Sequence, residues 1–178
     1  MTSTTIAAAV RQAPRTTEPA PRRPACRPVA LSAPLWLVAA CGEERMKRLL
    51  EWVSEPDGLL LLPCGVTWDV VRMPEDLGLA ALDRLTDDPT QETGPMLHDR
   101  TAELVYMFID LDGGIDWAAR YADVRLLSAG AHLATPSPDL PWLNTRITWA
   151  FLPPTPQPTG PARLAAALDA LAGGRTTA

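Results

Sequence analysis

The order of hydrophobic patterns predicts an α+β domain, a mainly antiparallel sheet flanked by helices. Three observations carry this. Leu35–Val53 and Ala162–Leu171 repeat apolar residues at helical spacing near the two ends of the chain. Met96–His98 and Leu104–Asp110 are short apolar runs either side of Asp99-Arg100-Thr101, as a hairpin requires. Arg146–Leu152 alternates, as a half-buried strand does.

The elements follow in order. Ser32-Ala33-Pro34 is a helix start, with a capping serine and proline in the first turn. Leu35, Val38, Cys41, Met46, Leu49, Leu50 and Val53 then form an apolar stripe, and Glu43, Glu44, Arg45, Lys47 and Arg48 fill the other face. Gly42 is the weak point of that helix. Pro56-Asp57-Gly58 is a turn, Leu59–Leu62 an apolar strand broken by Pro63-Cys64-Gly65, and Val66–Met73 a second strand. Pro74 opens a helix whose first turn carries Glu75 and Asp76, where the macrodipole favours negative charge; Leu77, Ala80, Ala81 and Leu85 are its buried stripe. After the polar loop Thr86–Thr93 comes the hairpin. Asp116–Tyr121 reads as a short helix, and Val124–Leu127 and His132–Thr135 as strands. Arg146–Leu152 precedes the proline-rich stretch Pro153–Pro161, and the last helix follows. One sheet is expected.

Charge divides the 178 residues in two. Five arginines against one glutamate give residues 1–30 a charge of +4, whereas the whole chain is −5, so the remainder carries −9. Residues 1–30 lack periodicity and read as a disordered basic tail, suited to an acidic partner or nucleic acid. Residues 31–178 form the single folded domain. An acidic body disfavours strong sequence-independent binding of nucleic acid, which depends on neutralising phosphates. No apolar run reaches the ~20 residues that span a bilayer. Val38-Ala39-Ala40-Cys41 has the look of a lipoprotein cleavage box, but Pro28, Ser32 and Pro34 interrupt the stretch before it and Glu43-Glu44-Arg45 follow. A cytoplasmic protein is expected. Cys26, Cys41 and Cys64 form no Cys-x-x-Cys pair, so a structural zinc or disulfide framework is not expected.

Acidic residues are the candidates for chemistry. Asp110 and Asp112 lie two apart at the end of an apolar run, the spacing that sets two carboxylates side by side for a divalent metal. A solvated strand end and turn before Gly113-Gly114 is the more ordinary reading of them. Asp69 stands inside an otherwise apolar strand, where an unpaired carboxylate is costly to bury; it is either a site residue or the ion-pair partner of Arg72 or Arg125. His98 reads as an exposed residue beside a hairpin turn and His132 as a strand start. Cys64 reads as a small packed residue. Trp142, in a proline-flanked loop, is the tryptophan expected at the surface.

Three segments occur in a telling order. They are Leu61-Leu62-Pro63-Cys64-Gly65 followed by Trp68-Asp69-Val70-Val71 and Leu77-Gly78; Gly94-Pro95-Met96 followed by Val105-Tyr106-Met107-Phe108; and Asp123-Val124-Arg125 followed by Gly130-Ala131-His132-Leu133-Ala134-Thr135-Pro136-Ser137-Pro138. Together they resemble the N-terminal domain of bifunctional DNA primase/polymerases of the archaeo-eukaryotic type, and more closely its small stand-alone relatives in high-GC bacteria, over roughly Leu35 to Leu171. The resemblance implies a primase-polymerase-like fold and metal-dependent nucleotidyl transfer. It matches Asp69 to the first of the family's two metal-holding acids, but Val71 stands where the second belongs. The histidine of the family's second motif has no counterpart beside Val105-Tyr106-Met107-Phe108. Asp123-Val124-Arg125 matches the third motif.

Phosphoryl transfer relies on metal ions that offset charge on phosphate oxygens, and valine in place of a carboxylate removes a ligand and a charge. The expected function is thus a catalytically degenerate domain with an accessory or regulatory role linked to DNA or nucleotides. If activity persists, Asp69 and Asp123 are its catalytic pair, with Asp110 or Asp112 recruited around Mg²⁺ or Mn²⁺. A protein-interaction scaffold without nucleotide binding is the third possibility.

Overall fold

A computed structural model describes residues 32–54, 58–88, 90–111, 114–140 and 145–174. The basic tail, the Pro56-Asp57 turn, Asp112 and Trp142 lie outside the described residues.

The architecture is α+β, as the patterns predict. Helix α1 (Ala33–Val38), a 3₁₀ segment (Ala39–Glu44) and α2 (Arg45–Ser54) lead into strands β1 (Leu59–Pro63) and β2 (Asp69–Pro74). Helix α3 (Glu75–Thr86), the hairpin β3 (Met96–Asp99) and β4 (Leu104–Ile109), and the short α4 (Trp117–Arg120) follow. Strands β5 (Arg125–Leu127), β6 (His132–Pro136) and β7 (Ile147–Phe151) precede α5 (Pro161–Gly174).

The single sheet expected from sequence is two among the described residues. Strands β5-β2-β4-β3-β7 form a five-stranded antiparallel sheet, and β1 pairs with β6 in a separate antiparallel ribbon. Pairing partners across long loops leave no mark in hydrophobic periodicity, which reports strands but not neighbours.

The long N-terminal helix is also corrected. Gly42 adopts φ 59 and ψ −125, which ends one helix and resets the direction of the next. The apolar stripe does not carry across that break. Leu37, Val38 and Trp52 are buried, whereas Met46 is 54% and Leu50 66% exposed. Trp52 fixes the end of α2 by donating its indole N–H to the Gly58 carbonyl at 3.0 Å.

Alternation along β2 and β4 builds two cores on opposite faces of the larger sheet. Val71, Met73, Val105, Met107 and Ile109 face α3, α4 and α5, meeting Ala81, Leu85, Trp117, Leu164 and Leu168. Val70, Phe108 and Leu97 face α1 and the ribbon, meeting Leu37, Trp68, Leu62 and Leu133. Gly78 allows α3 to lie close to the sheet, since a β-carbon there would run into the Val105 side chain. Arg163 ties α5 to the loop after α3, donating to the carbonyls of Leu85 and Glu92 and to the Thr93 hydroxyl. Thr159 anchors the chain beside β4: its amide donates to the Phe108 carbonyl at 3.0 Å, and its hydroxyl accepts from the Gly94 amide at 2.7 Å.

Candidate functional site

Asp69 opens β2, 2% exposed, opposite Ile109 of β4. Its charge reaches Cys64: burial, then the Asp69 carboxylate, pushes that thiol up to about 11. Cys64 is thus a neutral, packed thiol at physiological pH, not a nucleophile. Asp110 follows Ile109 at the same end of the ladder. It is exposed, and its amide donates to the Thr159 carbonyl at 3.1 Å.

Asp123 lies elsewhere. It is exposed in the turn before β5, beside a groove lined by Pro74, Asp76, Tyr121 and Leu168. Because Arg72 pairs with Arg125, Asp123 falls level with Pro74, the last residue of β2. Five residue steps along the strand separate that position from Asp69, a distance of about 16 Å. The two acids matched to one catalytic pair therefore stand at opposite ends of β2. Among the described residues, no three His, Cys, Asp or Glu side chains converge as metal ligands.

The ion pair expected between Asp69 and Arg72 or Arg125 is also redirected. Arg72 is three residues along the strand from Asp69 and so faces the other side of the sheet. Arg125 is the cross-strand partner of Arg72 itself. His98, expected in an exposed turn, sits on β3 with its side chain 14% exposed and Nε2 3.0 Å from Glu75 Oε2. His132 is exposed at the start of β6, opposite Pro63.

Ladder register instead assembles a row that sequence reading missed. Arg125 of β5 pairs with Arg72 of β2, Arg72 with Tyr106 of β4, Tyr106 with Leu97 of β3, and Leu97 with Trp149 of β7. Cross-strand partners share a face. This is the face whose other half lies under α1 and the ribbon. Arg125 is exposed, Arg72, Tyr106 and Trp149 are half-buried, and only Leu97 is fully covered. Trp149 is braced against Phe108, ring centroids 6.1 Å apart.

A third arginine borders the row. Arg146 is 63% exposed, with its Nη2 3.4 Å from Asp99 Oδ2. Burial acts to raise the Asp99 carboxyl, but the Ala102 amide, the Arg146 guanidinium and the Thr101 amide outweigh it and hold it below the usual range. Tyr106 feels the same group of charges. Burial and then Asp99 push its phenol up, against the opposing pull of Arg72 and Arg146. The one visible signal was Arg72, a cation inside the apolar run Val70-Val71-Arg72-Met73.

No family model, curated protein or solved structure matches this chain.

Proposed function

We propose that this chain is a non-catalytic binding module of primase-polymerase type, acting as an accessory in a process that involves DNA or nucleotides. The ordered motifs around Asp69, Val105-Tyr106-Met107-Phe108 and Asp123-Val124-Arg125 support the family reading. The observation that carries the non-catalytic reading is the ladder between β2 and β5. Metal-assisted transfer needs carboxylates gathered around ions that bridge attacking and leaving oxygens, ~4 Å apart in two-metal sites. Asp69 and Asp123 are separated by most of β2, and Val71 occupies the matched position between them. Val71 is fully buried in the core beneath α3 and α5, a place from which no side chain reaches solvent metal.

The test is calorimetry with Mg²⁺ or Mn²⁺ and a nucleoside triphosphate, alongside template-directed extension. The expected result is no extension product and no metal-dependent heat that requires Asp69. Saturable metal–nucleotide binding that disappears in Asp69→Ala, with product formed by the unaltered chain, would establish an active nucleotidyltransferase instead.

A further inference from the structure

We infer that the open half of the five-stranded sheet binds single-stranded nucleic acid across the row Arg125, Arg72, Tyr106 and Trp149. The inference takes its ligand class from the proposed DNA- or nucleotide-linked role, but it rests on a surface distinct from the matched acids. Its first support is electrostatic. Arg72 and Arg125 are direct cross-strand partners, and like charges directly opposite destabilise a sheet. Among the described residues neither has a carboxylate within 4.0 Å, and the Arg125 guanidinium is held by the carbonyls of Ala122 and Val124 at 2.7 and 2.8 Å. An anion over the pair relieves their repulsion, and a phosphodiester is such an anion.

The second support is that the arginine pair adjoins planar rings on the same face. Tyr106 follows the arginine pair on the next strand, and Trp149 lies two strands beyond. Four strand spacings make the row about 19 Å long. Two cations beside two half-buried rings on one sheet surface suit a single strand, whose phosphates meet the arginines while its unstacked bases lie on the rings, since every base offers a π-face for stacking. An acidic peptide would use the arginines but would leave both rings idle, so the rings decide between the two ligands.

The position of the row within the molecule gives a third argument. The body outside residues 1–30 carries −9 overall, so a local cationic strip stands out against its surroundings. Repulsion from the rest of the surface keeps binding weak and confines it to this strip.

The experiment titrates the full chain with fluorescein-labelled dT and rU oligonucleotides, and with poly-glutamate as the peptide control, at 20 to 200 mM salt. The expected result is saturable oligonucleotide binding with a shallow salt slope. Arg72→Gln combined with Arg125→Gln should weaken it about tenfold and lower the slope by about 1.4. Tyr106→Leu should weaken it about tenfold while leaving the slope unchanged. Equal affinity for dT and rU would mean that the sugar is not read, whereas a preference for one names the source, and both accord with the inference. Circular dichroism melting verifies folding, and exposed Arg125→Glu serves as an independent variant that should lower affinity further. Oligonucleotide binding that survives all these substitutions would overturn the sheet-face site yet leave the nucleic-acid role standing. Triphosphate binding without oligonucleotide binding would do the same. Tighter binding to poly-glutamate would replace the ligand with an acidic peptide, and no binding to any probe would sink both readings.

Discussion

The two faces of the five-stranded sheet are made by the same strands yet have opposite fates. Toward α3 and α5, the alternate residues Val71, Met73, Val105, Met107 and Ile109 are all completely buried. Toward α1 and the ribbon, Val70 and Phe108 are buried, but their neighbours two positions along, Arg72 and Tyr106, are left half-open. One face is a structural core throughout. The other changes from core to surface within a single strand repeat. Stability and the proposed recognition therefore fall on adjacent residues of one strand, and substitutions at neighbouring positions separate them.

The largest effect is expected on the closed face. Met107→Ala should lower the unfolding free energy by about 3 kcal/mol in urea titration, through lost transfer energy and a cavity between α3 and α5. A cost below about 1 kcal/mol would mean that this face is looser than its burial indicates.

Next comes the corner that carries the ribbon over the second face. Gly65 has φ 77, and a β-carbon there would meet the backbone of Ala129, with Cα at 2.6 Å. Gly65→Ala should cost about 2 kcal/mol and expose the Trp68 cluster, visible as a red shift in tryptophan emission.

At the boundary of the open half, Asp99→Asn should cost about 1 kcal/mol at neutral pH, since the Asp99 carboxylate accepts from the amides of Thr101 and Ala102 at 3.0 and 3.1 Å. The folded pKa lies below the unfolded value of about 3.9. The contribution is therefore complete above that value and is lost as pH falls through the folded pKa. The two proteins should converge in stability at the acid end of a pH series, and a constant gap at all pH values would exclude the charged form as the cause.

The smallest effect belongs to the open face itself. Arg125→Gln should change stability by less than about 0.5 kcal/mol, with any gain largest at low salt, where the repulsion from Arg72 is least screened. A large loss on thermal melting would show that Arg125 supports the fold.

Much of the architecture was legible because it is local. The alternation in Arg146–Leu152, the hairpin around Asp99-Arg100-Thr101 and the acidic first turn of α3 each depend on a few consecutive residues, and each appears where the sequence indicates. Met46 and Leu50 failed because the Gly42 backbone turn rotated their helix relative to the preceding one, which a continuous stripe cannot register. The ribbon failed because its two strands belong together only through tertiary contact. The candidate site was less legible for the same reason. Asp69, Asp123, Arg72 and Arg125 were all noticed in the chain, but which of them meet is decided by register, and register joined the arginines and parted the acids.

Strand β1 carries four consecutive leucines, and its only partner in the ribbon is β6. During synthesis the segment therefore leaves the ribosome well before anything can pair with it. Residues 64–131 must follow first, and the sheet beneath lacks its cover for the same interval. A strand so apolar and so long unpaired invites a chaperone, and slowing translation after residue 63 should raise the fraction of chains lost to aggregates.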